Sequence, residues 1–212
     1  MIAVYKEAGI ASAPDPSGDR DAMAYISEIL HSENEPCELY VVHRLDRVVG
    51  GVLVYARNKE YAAKLSALVA DGAAEKVYLA VVEGEADGGA MKDYLYKDSR
   101  LGKAFVADKK KIGAKKARLE YALLGRCDGE RGIFSLVKIR LQTGRFHQIR
   151  AQFSHRKLTI VGDGKYGSKD IKRRSPSLFA SRLAFSLDGK KYEFKKMPEG
   201  NEYPWSCFKE LL

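Results

Sequence analysis

The tetrapeptide His43-Arg44-Leu45-Asp46 is followed closely by the apolar run Gly51-Val52-Leu53-Val54-Tyr55-Ala56. A short run of this composition predicts a buried β-strand. The tetrapeptide then belongs in the turn before the strand, where side chains can reach a ligand. Asp46 has no packing role in such a turn, and Arg44 and Arg47 should keep its carboxyl group ionised and nucleophilic. A salt-bridged turn without chemistry is the alternative for this tetrapeptide alone.

The composition describes a folded protein with room for a sizeable core. Of 212 residues, 45% are hydrophobic and 31% are charged, and no apolar run approaches the roughly 20 residues of a membrane span. Glu7 stands where a secretory signal would be apolar. The three cysteines and four histidines form no metal-ligand cluster. We therefore expect a cytoplasmic protein with no metal, disulfide or membrane span.

The net charge of +9, from 37 basic and 28 acidic residues, favours a polyanionic partner, of which nucleic acid is the commonest. Many of the basic residues crowd residues 97–116, which we call the lysine-rich segment, and Asp98 and Asp108 are its only acids. It holds Lys97, Arg100, Lys103, Lys109, Lys110, Lys111, Lys115 and Lys116. We expect sequence-independent RNA affinity here, and a solvated loop with no specific partner is the alternative.

Hydrophobic periodicity and turn residues predict one α+β domain over residues 1–212, with a mixed, largely antiparallel sheet flanked by helices and loops. Asp188-Gly189 predicts a hairpin turn, and Asn58 is a suitable cap for a helix that Gly72 ends. The other predicted helices are 19–31 and 147–154. The predicted strands are 2–6, 39–42, 76–83, 118–124, 133–141, 183–187 and 192–194.

Three polar segments recur in this frame: Val42-His43-Arg44-Leu45-Asp46, Glu75-Lys76-Val77-Tyr78-Leu79-Ala80-Val81-Val82-Glu83-Gly84, and Leu141-Gln142-Thr143-Gly144-Arg145-Phe146-His147-Gln148-Ile149-Arg150. In this order they resemble the motifs HRLD, K-x-Y-x-A-x-V-x-G and L-x-T-G-R-x-H-Q-I-R of the RluA-type pseudouridine synthases. Val4-Tyr5-Lys6-Glu7-Ala8-Gly9-Ile10 is similar to the opening strand of that family, and Gly162-Asp163-Gly164-Lys165-Tyr166-Gly167 to its G-D-x-x-Y-G segment. The resemblance covers nearly the whole chain.

The resemblance implies isomerisation of uridine to pseudouridine within RNA, without a cofactor. Asp46 would be the nucleophile, attacking C1′ or C6, because an ionised carboxylate can add covalently and leave again. Tyr78 would stack on the flipped uracil, although a tyrosine in an alternating strand is ordinarily a packing residue. Arg150 would pair with Asp46, and a surface arginine on a helix is its alternative.

Several other residues become candidate RNA contacts through the resemblance. Arg44 could fill the gap that a flipped base leaves, because its planar guanidinium stacks on bases and binds phosphate. Lys76 is a further candidate, and Arg145, His147 and Gln148 could contact either phosphate or the neighbouring turn. The expected partner is a structured ribosomal or transfer RNA rather than DNA, and the expected state is a monomer.

The chain departs from the family at the turn after Asp46. The family usually has Thr-Ser-Gly where Val49-Gly50-Gly51 stands here, so a hydroxyl group is absent from the turn. A catalytically weakened RNA-binding protein on the same scaffold is therefore the first alternative. A nuclease is the second, but the paired carboxylates or histidines that it needs are not evident. We also expect the catalytic domain alone, without the S4-like RNA-binding module of many relatives.

Overall fold

The computed structural model describes residues 1–129, 132–170, 173 and 175–212. Its strands are β1 Ile2–Lys6, β2 Tyr40–Val41, β3 Gly50–Ala56, β4 Glu75–Glu83, β5 Gly88–Asp98, β6 Lys103–Ala107, β7 Lys115–Gly129, β8 Gly132–Leu141, β9 Leu178–Leu187 and β10 Lys190–Lys195. Its helices are α1 Ala22–Ser32, α2 Lys59–Ala70 and α3 Gln148–His155, with 3₁₀ helices at Gly164–Tyr166 and Trp205–Leu211. The predicted α+β class is confirmed. No helix within the described residues is both long and apolar enough to cross a membrane.

The chain forms two compact units. The first comprises Met1–Glu75 and Ala180–Lys196, and the second comprises Lys76–Phe179 and Met197–Leu212. The assignment of residues 1–212 to one catalytic domain stays a prediction.

Strand β3 is the centre of the first unit, and all seven of its residues are buried. Strand β1 pairs antiparallel with it, from Ile2 opposite Tyr55 to Lys6 opposite Gly51. Strand β9 also neighbours β3, and β10 pairs antiparallel with β9. Side chains of β3, β9 and α2 form the core: Val52, Val54, Ala56, Leu65, Leu183, Phe185 and Leu187. The buried strand after the HRLD motif is thus confirmed.

Gly51 is required where β3 passes close to another backbone. Its φ is +125°, a conformation that side chains rarely adopt, and a Cβ placed on it would lie 2.2 Å from the carbonyl oxygen of Ala180. The glycine therefore allows two strands of the first unit to approach each other.

Local signals placed most helix and turn boundaries correctly. The Asn58 side chain accepts a 2.8 Å hydrogen bond from Tyr61 N and caps α2. Helix α1 starts three residues later than predicted, because the Asp21 side chain caps it by accepting from the backbone N–H groups of Met23 and Ala24. The turn between β9 and β10 has left-handed φ values at Asp188 and Gly189, as a type I′ hairpin requires.

The second unit is built on an antiparallel sheet of order β4-β8-β7-β5-β6. The lysine-rich segment, for which no strand was predicted, contains all of β6 and reaches into β5 and β7. Strand β5 was missed, since it opens on Gly88 and Gly89, which are unfavourable in strands and here have positive φ. Residues of β4, β8 and the C-terminal 3₁₀ helix form one core cluster: Leu79, Val81, Phe134, Leu136, Trp205 and Phe208.

Candidate active site

Asp46 lies half-buried in the turn that enters β3. Leu45 before it is 6% exposed and anchors the turn in the core. The carbonyl oxygen of Asp46 accepts a 2.9 Å hydrogen bond from the backbone N–H of Val49, which closes the turn just before β3 begins. The Asp46 turn, residues 45–49, therefore has a defined backbone with its carboxylate at the end of a buried strand.

Ser12 braces the Asp46 turn from the N-terminal part of the chain. Its hydroxyl group donates to the carbonyl oxygen of Leu45 at 2.9 Å and accepts from the N–H of Leu45 at 3.0 Å. The carbonyl oxygen of Ser12 accepts a 2.6 Å bond from the Tyr55 hydroxyl of β3. A hydroxyl group absent from the turn itself is thus supplied by a serine 4% exposed and distant in sequence.

Lys6 places a buried positive charge beside the Asp46 turn. Its ammonium group donates to the carbonyl oxygens of Ile10 at 2.7 Å, Glu7 at 2.8 Å and Arg47 at 3.2 Å. Burial lowers the pKa of Lys6 to about 8, while the negative charge of Asp46 acts in the opposite direction. At neutral pH Lys6 is therefore mostly charged and close enough to Asp46 for the two charges to interact.

Arg47 is turned towards an acidic loop. One Nη donates to both carboxylate oxygens of Asp15 at 2.8 Å and to Ser17 Oγ at 2.6 Å, and the other donates to Asp19 at 2.7 Å. The Ser17 hydroxyl, which donates to Asp15 at 2.7 Å, and then Arg47 lower the pKa of Asp15 to about 2. The guanidinium group of Arg47 thus donates to this loop, and its expected part in keeping Asp46 ionised stays a prediction.

His43 and Arg44 differ in exposure. The Nε2 atom of His43 accepts a 3.2 Å hydrogen bond from the backbone N–H of Val54 and so ties the motif to β3. This contact gives His43 a structural role in the turn. Arg44 is exposed, so its guanidinium group can reach a large ligand, and its role in replacing a flipped base stays a prediction.

Strand β4 carries Lys76 and Tyr78 in the second unit, opposite Leu141 and Ile139 of β8. Tyr78 is half-buried, as a ring with one accessible side would be. Lys76 is only 6% exposed, and burial followed by the charge of Arg145 lowers the pKa of its ammonium group. The RNA contact expected for Lys76 stays a prediction.

Gln148 holds the turn that precedes α3. Its Oε1 accepts from Thr143 Oγ1 at 2.7 Å and from Arg145 N at 3.1 Å, and its Nε2 donates to the carbonyl oxygen of Arg118 at 3.0 Å. The residue is 3% exposed and contacts the neighbouring turn, one of the two roles expected for it, while its RNA contact stays a prediction. Arg145 is exposed, with Nε donating to the carbonyl oxygen of Lys116, and remains a candidate phosphate ligand.

His147 immediately precedes α3, at its N-cap, as a packed, neutral ring. Its φ of +50° is left-handed, its Nδ1 lies 3.1 Å from the Tyr166 hydroxyl, and the Phe146 ring stacks on it. Burial and then the positive charge of Arg150 lower the pKa of His147 to about 3. A charged contact between His147 and an RNA phosphate is therefore not expected at neutral pH.

Arg150 forms a buried, bidentate ion pair with Asp163. Its Nε and one Nη donate to the two carboxylate oxygens at 2.7 Å and 2.8 Å, and the side chains are 5% and 1% exposed. The guanidinium carbon also lies 5.0 Å from the centroid of the Tyr166 ring. The pairing of Arg150 with Asp46, which belongs to the first unit, stays a prediction.

Sequence reasoning missed three residues of these networks. Lys6 and Asp163 lie within family-like segments, so their positions in those segments were the available signal. Nothing in the sequence distinguished Ser12. Among the described residues, no group of three His, Cys, Asp or Glu side chains could hold a metal ion. The functional groups of the predicted catalytic residues are a carboxylate on a braced turn, a half-buried phenol and a buried guanidinium group.

Comparison with known proteins points to one family. The family model described as RNA pseudouridylate synthase matches residues 1–155. The ribosomal large subunit pseudouridine synthase D of Borreliella burgdorferi is 30% identical over 204 residues, covering 92% of this chain and 61% of that protein. The tRNA pseudouridine synthase C of Yersinia pestis is 28% identical over 181 residues, covering 77% and 69%.

A solved structure has the same fold. Human RNA pseudouridylate synthase domain containing 1 superposes with a TM-score of 0.76 at 20% identity, covering 97% of this chain and 82% of that one. The chain thus spans between three fifths and seven tenths of the length of the two curated relatives above.

Proposed function

The chain belongs to the RNA pseudouridylate synthase family, and from this premise we propose that it isomerises uridine to pseudouridine in a structured ribosomal or transfer RNA. The braced Asp46 turn is the observation that carries the proposal. Ser12 fixes both backbone polar groups of Leu45, and Lys6 sets a cation beside the carboxylate. A protein that only bound RNA would not need a carboxylate held in this way.

In the proposed reaction Asp46 attacks either C1′ of the ribose or C6 of the uracil, and the base is cut from C1′, turned and rejoined through C5. Both routes require an ionised carboxylate that can add and leave. Tyr78 stacks on the extruded uracil with its hydroxyl near the atoms that exchange protons. Arg150 holds the carboxylate in its attacking rotamer and keeps it charged. No cofactor takes part.

RNA is held mainly through charge. The lysine-rich segment, Arg145 and Arg44 offer exposed cations, which bind phosphates without regard to sequence. Arg44 enters the stack when the target base leaves it. We also propose a cytoplasmic monomer that acts on RNA rather than DNA.

A catalytically weakened RNA-binding protein is the remaining alternative, and the absence of a hydroxyl group at Val49 and Gly50 favours it. The hydrogen bonds of Ser12 weaken that argument, because they supply a buried hydroxyl to Leu45, next to Asp46.

The test incubates the wild type, Asp46→Ala and Asp46→Asn with bulk RNA from a synthase-deficient host and maps pseudouridine at nucleotide resolution. We expect a new site with the wild type and none with either variant, because neither alanine nor an amide supplies the nucleophile. Asp71→Asn, at the exposed end of α2 in the same unit, is the matched control and should modify RNA normally. RNA binding by the wild type without any new pseudouridine would favour the alternative.

A further inference from the structure

Phe146 is an exposed aromatic residue at the start of α3. The side chain is 38% exposed, and it lies in the sequence between the exposed Arg145 and the half-buried His147. One face of its ring stacks on the His147 ring, with the centroids 3.8 Å apart and an interplanar angle of 18°. A large apolar ring is therefore held flat at the surface with part of it accessible to a ligand.

The ring beneath Phe146 is firmly anchored. His147 Nδ1 lies 3.1 Å from the Tyr166 hydroxyl, which accepts from the N–H of Ala104 at 2.8 Å and lies 3.2 Å from the carbonyl oxygen of the same residue. These bonds connect the stack to β6. The orientation of Phe146 is thus fixed before any ligand arrives, which lowers the entropic cost of binding.

The surroundings of Phe146 are positively charged. The ammonium group of Lys97 lies 4.6 Å from the centroid of its ring, and the exposed guanidinium group of Arg145 is adjacent in sequence. Lys165, which donates to the carbonyl oxygen of Gly102 at 2.8 Å, is close enough to affect the charge state of His147. An aromatic surface bordered by cations is the combination by which proteins bind unpaired nucleotides.

We propose that Phe146 is a stacking site for an unpaired RNA base, with Lys97 moving from the ring face to the neighbouring phosphate. The proposal rests on the proposed function, because it assumes that RNA is the ligand. It assigns base contact to the residue between Arg145 and His147 rather than to His147 itself, whose ring Phe146 covers. Stacking tolerates any base, so this contact adds affinity without selecting a sequence.

The test compares two labelled probes by fluorescence anisotropy: an oligouridylate of about twelve nucleotides, and an abasic oligomer of the same length with the same phosphates. Phe146→Ala should weaken oligouridylate binding about tenfold and leave abasic binding unchanged. Lys97→Gln should weaken both, because it removes a phosphate contact. Tyr25→Ala is the matched control, since Tyr25 is 42% exposed with the Arg20 guanidinium 4.2 Å from its ring centroid, and it should affect neither probe.

Phe146→Trp provides a second readout, which does not depend on a loss of binding affinity. It should bind oligouridylate at least as well as the wild type, and oligouridylate but not the abasic oligomer should quench its added fluorescence above the background of buried Trp205. Two results together would overturn the stacking site. Phe146→Ala would weaken the binding of both probes equally, or of neither, and oligouridylate would fail to quench the added fluorescence of Phe146→Trp. Pseudouridine formation by the wild type would stand in that case, so the two proposals fail separately.

Discussion

The buried pair of Arg150 and Asp163 gives a sharp prediction for Asp163→Asn. The substitution keeps the shape of the side chain but removes the charge that faces a guanidinium group only 5% exposed. Breaking a buried pair by changing one partner typically costs about 3–5 kcal/mol, because the other charge loses its compensation. We expect a loss of about 4 kcal/mol in the free energy of unfolding of the second unit.

Urea unfolding followed by tryptophan fluorescence measures this loss, because Trp205 is the single tryptophan and is buried in the second unit. With a slope of about 2 kcal/mol per molar urea, the midpoint should fall by about 2 M. The control is Asp87→Asn, which removes the charge that pairs with Arg126 in the same unit. The Asp87 side chain is 90% exposed, so its change should move the midpoint by less than about 0.5 M. Equal small shifts for both variants would refute the reasoning.

Three further predictions concern single positions. Ser12→Ala should lower the free energy of unfolding by about 1–3 kcal/mol, because it leaves the buried N–H and C=O groups of Leu45 without their partner. Thermal unfolding measures this loss, and Ser12→Thr, which retains the hydroxyl group, is the control. Gly51→Ala should lower the free energy of unfolding by more than about 3 kcal/mol in the same assay, since its Cβ would lie 2.2 Å from the Ala180 oxygen. A small decrease would contradict the close approach of the two strands. His147 has its pKa lowered to about 3, so the unfolded state binds more protons below about pH 6.5 and stability falls as the pH drops towards 3. Urea midpoints at about pH 7.5 and about pH 5 should therefore differ less in His147→Gln than in the wild type.

Features that depend on a few adjacent residues could be predicted from the sequence. The Asn58 cap and the Asp188-Gly189 turn each follow from local backbone and hydrogen-bond preferences, and both are confirmed. Strand β5 could not be recognised in this way. Its opening glycines and its Lys and Asp residues disfavour a strand, and pairing with β6 and β7 overrides that preference.

The candidate site shows a second limit on what the sequence can predict. The motifs predict Asp46, Tyr78 and Arg150 as site residues, but not what holds the Asp46 turn and the Arg150 side chain. Ser12 and Asp163 contact their partners only in the folded chain, and no periodicity or composition marks such pairs. Burial was equally invisible, and for this reason the motif left Gln148 open between phosphate and the turn that its amide group braces.

The bracing of the Asp46 turn has a consequence for the order in which binding and turnover are lost. The bonds from Lys6, Ser12 and Tyr55 join residues 33 to 43 positions apart, and Lys6 belongs to β1, an edge strand of the first unit. An edge strand opens more readily than a central one, and its detachment would release the turn. The lysine-rich segment belongs to the second unit, which does not contain β1. As urea rises, we expect pseudouridine formation to fail while RNA is still bound, so that the protein passes through a state that holds its substrate without changing it.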